Sequence, residues 1–194
     1  MTAANLQPAV FFDRDGTLIR DVGYLTRLEQ IEILDGVPAA IRALRDGGFR
    51  TVVVTNQSAV ARGWLTEAKL KQIHLLFRER LADQGAMLDA IYYCPHHPSE
   101  GIETYRVACD CRKPNSGMIQ RAVKDLALAP KRSYVVGDQN VDLELALRVG
   151  ATPVLVRSNG EQALVTHVQV FDNLRSAADW ILARGPVRTE ETSP

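Results

Sequence analysis

What this chain lacks narrows it first. Its 194 residues carry 23 basic and 23 acidic side chains, so it has no net charge. The basic excess or stripe that marks binders of nucleic acid or anionic membranes is missing. No apolar run approaches the ~20 residues of a membrane span. The first eight residues are neither basic nor followed by a signal-like apolar core, and a cytoplasmic protein is expected. Cysteine is scarce and odd in number, at three. That is a poor basis for a disulfide framework; in a reducing compartment, clustered cysteines point to metal binding or catalysis. Internal repeats and low-complexity tracts are absent too. What remains, 46% hydrophobic and 24% charged residues, is ordinary globular composition at a length that buries a core without staples. One domain over residues 1–185 is expected, with a disordered polar tail at 186–194.

Along the chain, short apolar runs alternate with amphipathic ones. "AVFFD" (9–13), "TVVVTN" (51–56), "AIYYC" (90–94), "SYVVGD" (133–138) and "TPVLVR" (152–157) are continuous apolar or β-branched runs. Such runs suit strands covered on both faces, as in a parallel sheet. Helical patterns lie between them. Residues 37–46 end at Gly47-Gly48, and 66–82 begin at a Thr66 cap and line up Leu70, Ile73, Phe77 and Leu81. Further patterns cover 116–126, 141–149 and 173–183. Alternating units of this kind predict a doubly wound α/β fold, mainly parallel, with right-handed crossovers. Residues 95–114 break the rhythm. A loop that long inside a compact domain needs something to hold it.

Ligands of open parallel sheets bind beyond the carboxyl ends of strands, so those ends carry the chemistry. The first ends in "DRDGT", with Asp13 and Asp15 two apart and Gly16 allowing a tight turn. The second ends in Thr55 and Asn56, a hydroxyl and an amide. The third leads, through its long loop, to Arg112 and Lys113. The fourth ends in "VGDQNVD", with Asp138 and Asp142. Each alone has a bland reading: Asp-Gly and Gly-Asp are common turns, Thr-Asn suits caps, and a lone lysine is usually solvated. Together they assemble carboxylates for a hard cation such as Mg²⁺ and donors for phosphate oxygens. Phosphoryl transfer needs that combination.

All three cysteines lie in the long loop, residues 94–111. Cys94, Cys109 and Cys111, with His96 or the adjacent His97, offer a Cys₃His set of the kind that binds Zn²⁺ tetrahedrally. Inert buried thiols would sit in apolar strands, whereas Cys109 and Cys111 flank Asp110. A redox pair would favour a C-x-x-C spacing. Four protein ligands leave no open position, so the zinc is expected to be structural.

These segments, in order, resemble the haloacid dehalogenase superfamily of phosphatases. "DRDGT", "TN", Lys113 and "GDxxxD" match its four motifs. The set "FFDRDGT", "TNQSAVARG", "IYYCPHHP", "CDCRKP" and "VGD", over about residues 9–157, resembles more closely the bacterial D-glycero-D-manno-heptose 1,7-bisphosphate 7-phosphatases. The resemblance implies a two-step displacement. Asp13 is the expected nucleophile and Asp15 the general acid and base. Mg²⁺ is expected on the Asp13 carboxylate, the Asp15 main-chain carbonyl and Asp138. Thr55 and Lys113 are expected to hold phosphoryl oxygens, and Arg112 to recognise the second phosphate of a sugar bisphosphate. Asp21, Val22, Gly23, Tyr24, Asn56, Gln57 and Ser58 fall in substrate-facing segments, as does Gln139, where the family usually has a cation. His96 is the fourth zinc ligand by family position.

The segment has no insertion of ~60 residues for a separate cap domain. Access control therefore falls to residues 21–27, to residues 59–64 with Arg62, and to the zinc loop. A monomer is expected, with no nucleic-acid or membrane partner. Histidinol-phosphate phosphatase is the nearest alternative. Polynucleotide 3′-phosphatase and a non-catalytic zinc module that binds a phosphorylated partner are more distant.

Overall fold

The computed structural model describes residues 6–157 and 168–187. The expected tail at 186–194 lies almost wholly outside them. Six parallel strands form one sheet: β1 (Ala9–Phe12), β2 (Arg50–Asn56), β3 (Ala90–Cys94), β4 (Tyr134–Gly137), β5 (Thr152–Val156) and β6 (Gln169–Phe171). Their order across the sheet is β3-β2-β1-β4-β5-β6, every neighbouring pair parallel. The chain winds outward from β1 in one direction, then returns to β4 and winds outward in the other. The switch point lies between β1 and β4, where the strand ends leave a crevice.

Helices cover both faces. They are α1 (Val37–Asp46), α2 (Ser58–Ala61), α3 (Glu67–Ala82), α4 (Gly117–Leu126), α5 (Asn140–Val149) and α6 (Leu174–Arg184). Strand alternation divides the core. Val10, Phe12 and Val53 pack with α1, α3 and α6, while Ala9, Phe11, Val52 and Val54 pack with α4 and α5. All seven of these strand side chains are fully buried, as unbroken apolar runs require in a sheet with two covered faces.

The expected Thr66 cap is present, accepting from the Lys69 amide at the start of α3, and Asn173 likewise accepts from the Ser176 amide at the start of α6. Two elements carried no readable pattern. The α2 helix is a single turn, and β6 is three residues long and partly exposed, too short for a period to show. At the opposite end of the sheet, Asp89 ties the start of β2 to the loop before β3. Its carboxylate accepts from the Thr51 amide at 2.8 Å, Arg50 at 2.8 Å and Arg45 at 2.5 Å. No helix among the described residues is long and apolar enough to cross a membrane.

Candidate active site

Asp13 is the first residue after β1 and Asp138 the first after β4, so the two neighbouring strands at the switch point deliver their acids to one place. Asp142, from the first turn of α5, joins them. One carboxylate oxygen from each lies within 4.8 Å of the others, and all three residues are buried. Lys113 enters from the far side of the zinc loop. Its ammonium, also buried, pairs with Asp13 Oδ1 and Asp142 Oδ1, each at 2.7 Å. With every group ionised, three carboxylates and one ammonium leave two negative charges. A hard divalent cation matches both that charge and the oxygen donors.

The electrostatics carry the same mark. Burial pushes Asp13 up to about 7; Lys113 opposes the rise, while Asp142 and Asp15 add to it. Lys113 is itself held above the ordinary lysine range. Burial alone would lower it, but Asp13 and Asp142 outweigh that. A cation entering among these acids would displace protons from them.

Three neighbours fix this geometry. Asn56, at the end of β2, clamps the main chain of Lys113. Its Oδ1 accepts from the Lys113 amide at 3.0 Å and its Nδ2 donates to the Lys113 carbonyl at 3.2 Å. Asn56 therefore places the lysine, where the sequence suggested a donor to phosphate. Gly137 makes room: a Cβ there would run into the side chain of Asp142. Gln139 caps α5, its amide donating to Asp142 Oδ2 at 3.2 Å, and its side chain is exposed.

Asp15 sits beside this group in a different setting. Its carboxylate takes both oxygens' worth of bonds from the Arg14 guanidinium and one from Gln57 Nε2 at 2.8 Å. Gln57 also donates to Thr55 Oγ1 at 2.9 Å, which links Asp15 to the end of β2. A small cleft of about 50 Å³ opens over Asp15, lined also by Gly23, Tyr24, Asn56 and Ser58. Asp21 instead lines a larger cleft of about 500 Å³ with Gly16 and Thr17, toward the end of β5. Val22 is exposed and lines neither.

The zinc-type cluster lies next door. Cys94 Sγ is 3.5 Å from Cys109 Sγ and 3.0 Å from Cys111 Sγ, and His96 Nδ1 is 3.3 Å from Cys111 Sγ. His97 is turned away, its Nδ1 accepting from the Glu100 amide at 3.0 Å. Three thiols and one imidazole this close form a closed donor set of the zinc type. Burial, followed by the Cys111 neighbour, raises the Cys94 thiol; ionising it calls for a cation. The next two residues after Cys111 are Arg112 and Lys113. Arg112 donates to the His96 carbonyl at 3.1 Å and lines a cleft with Pro98 and Val107.

The loop is also anchored to the segment after β2. The Ile102 amide donates to the Ala61 carbonyl at 2.8 Å, and Arg62 pairs with Glu100. The Arg62 guanidinium lies 5.4 Å from the centre of the Tyr24 ring and 5.3 Å from that of Trp64. The three expected access loops thus form one connected rim.

An acid at the switch point, faced by a buried lysine and backed by a second acid pair, places the protein in the haloacid dehalogenase class of phosphatases. Residues 110–177 match the HAD-hydrolase-like family. The chain is 43% identical over 176 residues to the D-glycero-beta-D-manno-heptose-1,7-bisphosphate 7-phosphatase of Escherichia coli K12, covering 90% of this chain and 88% of that one. It is 47% identical over 152 residues to the enzyme of the same name from Haemophilus ducreyi, covering 77% and 83%. The structure of D,D-heptose 1,7-bisphosphate phosphatase from B. bronchiseptica, complexed with magnesium and phosphate, superposes with a TM-score of 0.80 at 30% identity, covering 91% and 99%. The chain belongs to the D-glycero-D-manno-heptose 1,7-bisphosphate 7-phosphatase family.

Sequence reading missed two residues of the site's surroundings. Arg14 is fully buried although it is an arginine in a loop, and His74 on α3 reaches it. Nothing local marks Arg14. His74 could have been found, because it falls on the same helical face as Leu70, Ile73, Phe77 and Leu81.

Proposed function

We propose that this enzyme, a single catalytic domain over residues 1–185, hydrolyses the C7 phosphate of D-glycero-β-D-manno-heptose 1,7-bisphosphate. The reaction serves the synthesis of nucleotide-activated heptose in the cytoplasm. The observation that carries the reading is the placement of Asp13 between a buried lysine and two further acids at the switch point, in a chain so similar to named enzymes of that activity. The β anomer is taken from the names of those relatives.

Asp13 attacks phosphorus; the new Asp13–phosphorus bond forms as the bond to the sugar oxygen breaks. Asp15 gives its proton to that leaving oxygen. It then takes a proton from water, which attacks phosphorus, releases inorganic phosphate and restores Asp13. Thr55 donates a hydrogen bond from its hydroxyl to a phosphoryl oxygen. Lys113 trades its contact with Asp13 for phosphoryl oxygens while Asp142 keeps hold of it. The Asp13 carboxylate, the Asp15 carbonyl and Asp138 would hold Mg²⁺, which when bound would supply positive charge against the phosphoryl group. Cys94, His96, Cys109 and Cys111 would hold a structural zinc, which would fix the loop that carries Arg112 and Lys113. Arg112 receives the second phosphate, and Gly23 and Tyr24 with Gln57 and Ser58 border the sugar. The proposed working unit is a monomer.

Phosphate release from both anomers of the bisphosphate and from histidinol phosphate tests this. The β anomer should have the highest kcat/KM. Equal or better turnover of histidinol phosphate sinks the substrate assignment. Asp13→Asn should abolish release while the protein stays folded, and retained activity sinks the nucleophile.

A further inference from the structure

Arg14 poses a question that the reaction does not answer. Its guanidinium is fully buried, and burying such a charge is costly unless nearly every donor is satisfied. An ion pair of this kind is a weak stabiliser, since a well-packed apolar pair often does as well. Here the donors are aimed. Nε and Nη2 reach Asp15 Oδ1 at 3.2 and 2.9 Å, and Nη2 reaches Asp15 Oδ2 at 2.9 Å. Nη2 also donates to Gln57 Oε1 at 2.9 Å. On the other side, Nη1 lies 3.0 Å from His74 Nε2.

His74 comes from the core face of α3, where it tilts against Tyr93 with ring centroids 5.5 Å apart. Arginine cannot accept a hydrogen bond, so Nε2 must be the acceptor and the imidazole proton must sit on Nδ1. Burial, and then the Arg14 charge, lowers His74 to about 3, so the ring stays neutral at any working pH. A leucine at this place would match the apolar face formed by Leu70, Ile73 and Phe77 but would offer Nη1 no acceptor. An acceptor at Nε2 depth holds the Nη1 side of the guanidinium, as Asp15 and Gln57 hold the Nε and Nη2 side.

The structure assigns His74 as a positioning residue: through Arg14 it fixes the Asp15 carboxylate at the floor of the substrate cleft. This rests on Asp15 being the acid and base proposed above. Asp15 must deliver a proton to one oxygen of the leaving sugar. A guanidinium free to rotate would carry that carboxylate with it, and small misplacements of a catalytic group are expensive in rate.

The test exploits reach and leaving group. Gln and Asn carry the same amide, but the Gln Oε1 falls where His Nε2 lies, and the Asn Oδ1 falls short, near Nδ1. The two substrates are the heptose bisphosphate, whose alkoxide must be protonated, and 4-nitrophenyl phosphate, whose phenolate leaves without a proton. Their kcat/KM values report steps up to the phosphoaspartate. His74→Asn should lower kcat/KM for the bisphosphate by about tenfold or more, with 4-nitrophenyl phosphate within about twofold of wild type. His74→Gln should recover most of the loss. Equal losses on both substrates, no loss on the bisphosphate, or a Gln variant as poor as Asn would overturn the inference. Thermal melts of both variants at assay pH separate unfolding from a positioning defect; if Asn proves unstable, His74→Leu, which offers Nη1 no acceptor, takes its place with the same expected loss on the bisphosphate alone. Asp15→Asn is measured beside them. Full activity there sinks the acid–base assignment itself; an inactive Asp15→Asn with an unaffected His74→Asn sinks only the role of His74.

Discussion

Lys113→Met removes the ammonium from the acid cluster while keeping an unbranched apolar stem. In the wild type, the charge of three carboxylates within 4.8 Å is reduced by that ammonium and, below neutrality, by a proton on Asp13, which burial pushes up to about 7. Without the lysine, the folded variant needs one more proton in the cluster. It must be taken up by a carboxyl whose unfolded pKa is near ~3.9 and held at pH 7, about three units higher, at about 4 kcal/mol. Breaking a buried pair by deleting one partner independently costs ~3–5 kcal/mol. The sign follows from a folded pKa raised above the unfolded one. The stability is intact below about pH 4 and is lost as pH rises, so the penalty shrinks to about 1.5 kcal/mol at pH 5. Urea unfolding of wild type and variant at pH 5 and pH 7, at fixed free zinc and without magnesium, measures both gaps. Added Mg²⁺ should narrow the gap at pH 7, because the cation takes over the missing charge. A gap of equal size at both pH values would mean that Lys113 acts by packing, and a gap unmoved by Mg²⁺ would mean that the acids are not its site.

Cys109→Ser should lower bound zinc in metal analysis and reduce kcat/KM by at least about tenfold, because Arg112 and Lys113 lose their anchor. Full activity with no zinc bound would separate the loop from the chemistry. Gly137→Ala drives a methyl into the side chain of Asp142 and should cost about 1–3 kcal/mol by thermal melt, along with weaker Mg²⁺ activation. Wild-type melting and Mg²⁺ response would show that Asp142 is free to move. Asp89 titrates below the ordinary carboxylate range; burial raises it, but the Thr51 amide, Arg50 and Arg45 outweigh that. Its stabilisation is therefore present above the unfolded pKa and is lost as pH falls through the lowered one. Asp89→Asn should cost about 1–3 kcal/mol at pH 7, and the gap should narrow as pH falls below the unfolded pKa, as read from urea midpoints.

How much of this was legible depends on whether a residue's reason is local. Helix α1 spans Val37–Asp46 as its period and the following glycines indicate, and β3 spans Ala90–Cys94 as its apolar run does. In both cases spacing and breakers decide the outcome. The acids after β1 and β4 were legible for a second reason: a parallel sheet sends its strand ends to one edge, so strand order alone gathers them. Arg14 is the opposite case. It stands between two catalytic candidates in a polar loop, where an arginine would ordinarily face water. Its partners Gln57 and His74 are 43 and 60 residues away and meet it only because β2 lies beside β1 and α3 packs over them. Asn56 is intermediate. Its place at a strand end was readable, but its two bonds to the main chain of Lys113, 57 residues on, depend on the zinc loop returning to β2. Pairwise chemistry between distant segments therefore decides which polar residues touch substrate and which hold those that do. On that basis Asn56 and Arg14 belong together, one fixing the cation over Asp13 and the other fixing Asp15. Neither role could be assigned before the fold brought their partners into reach.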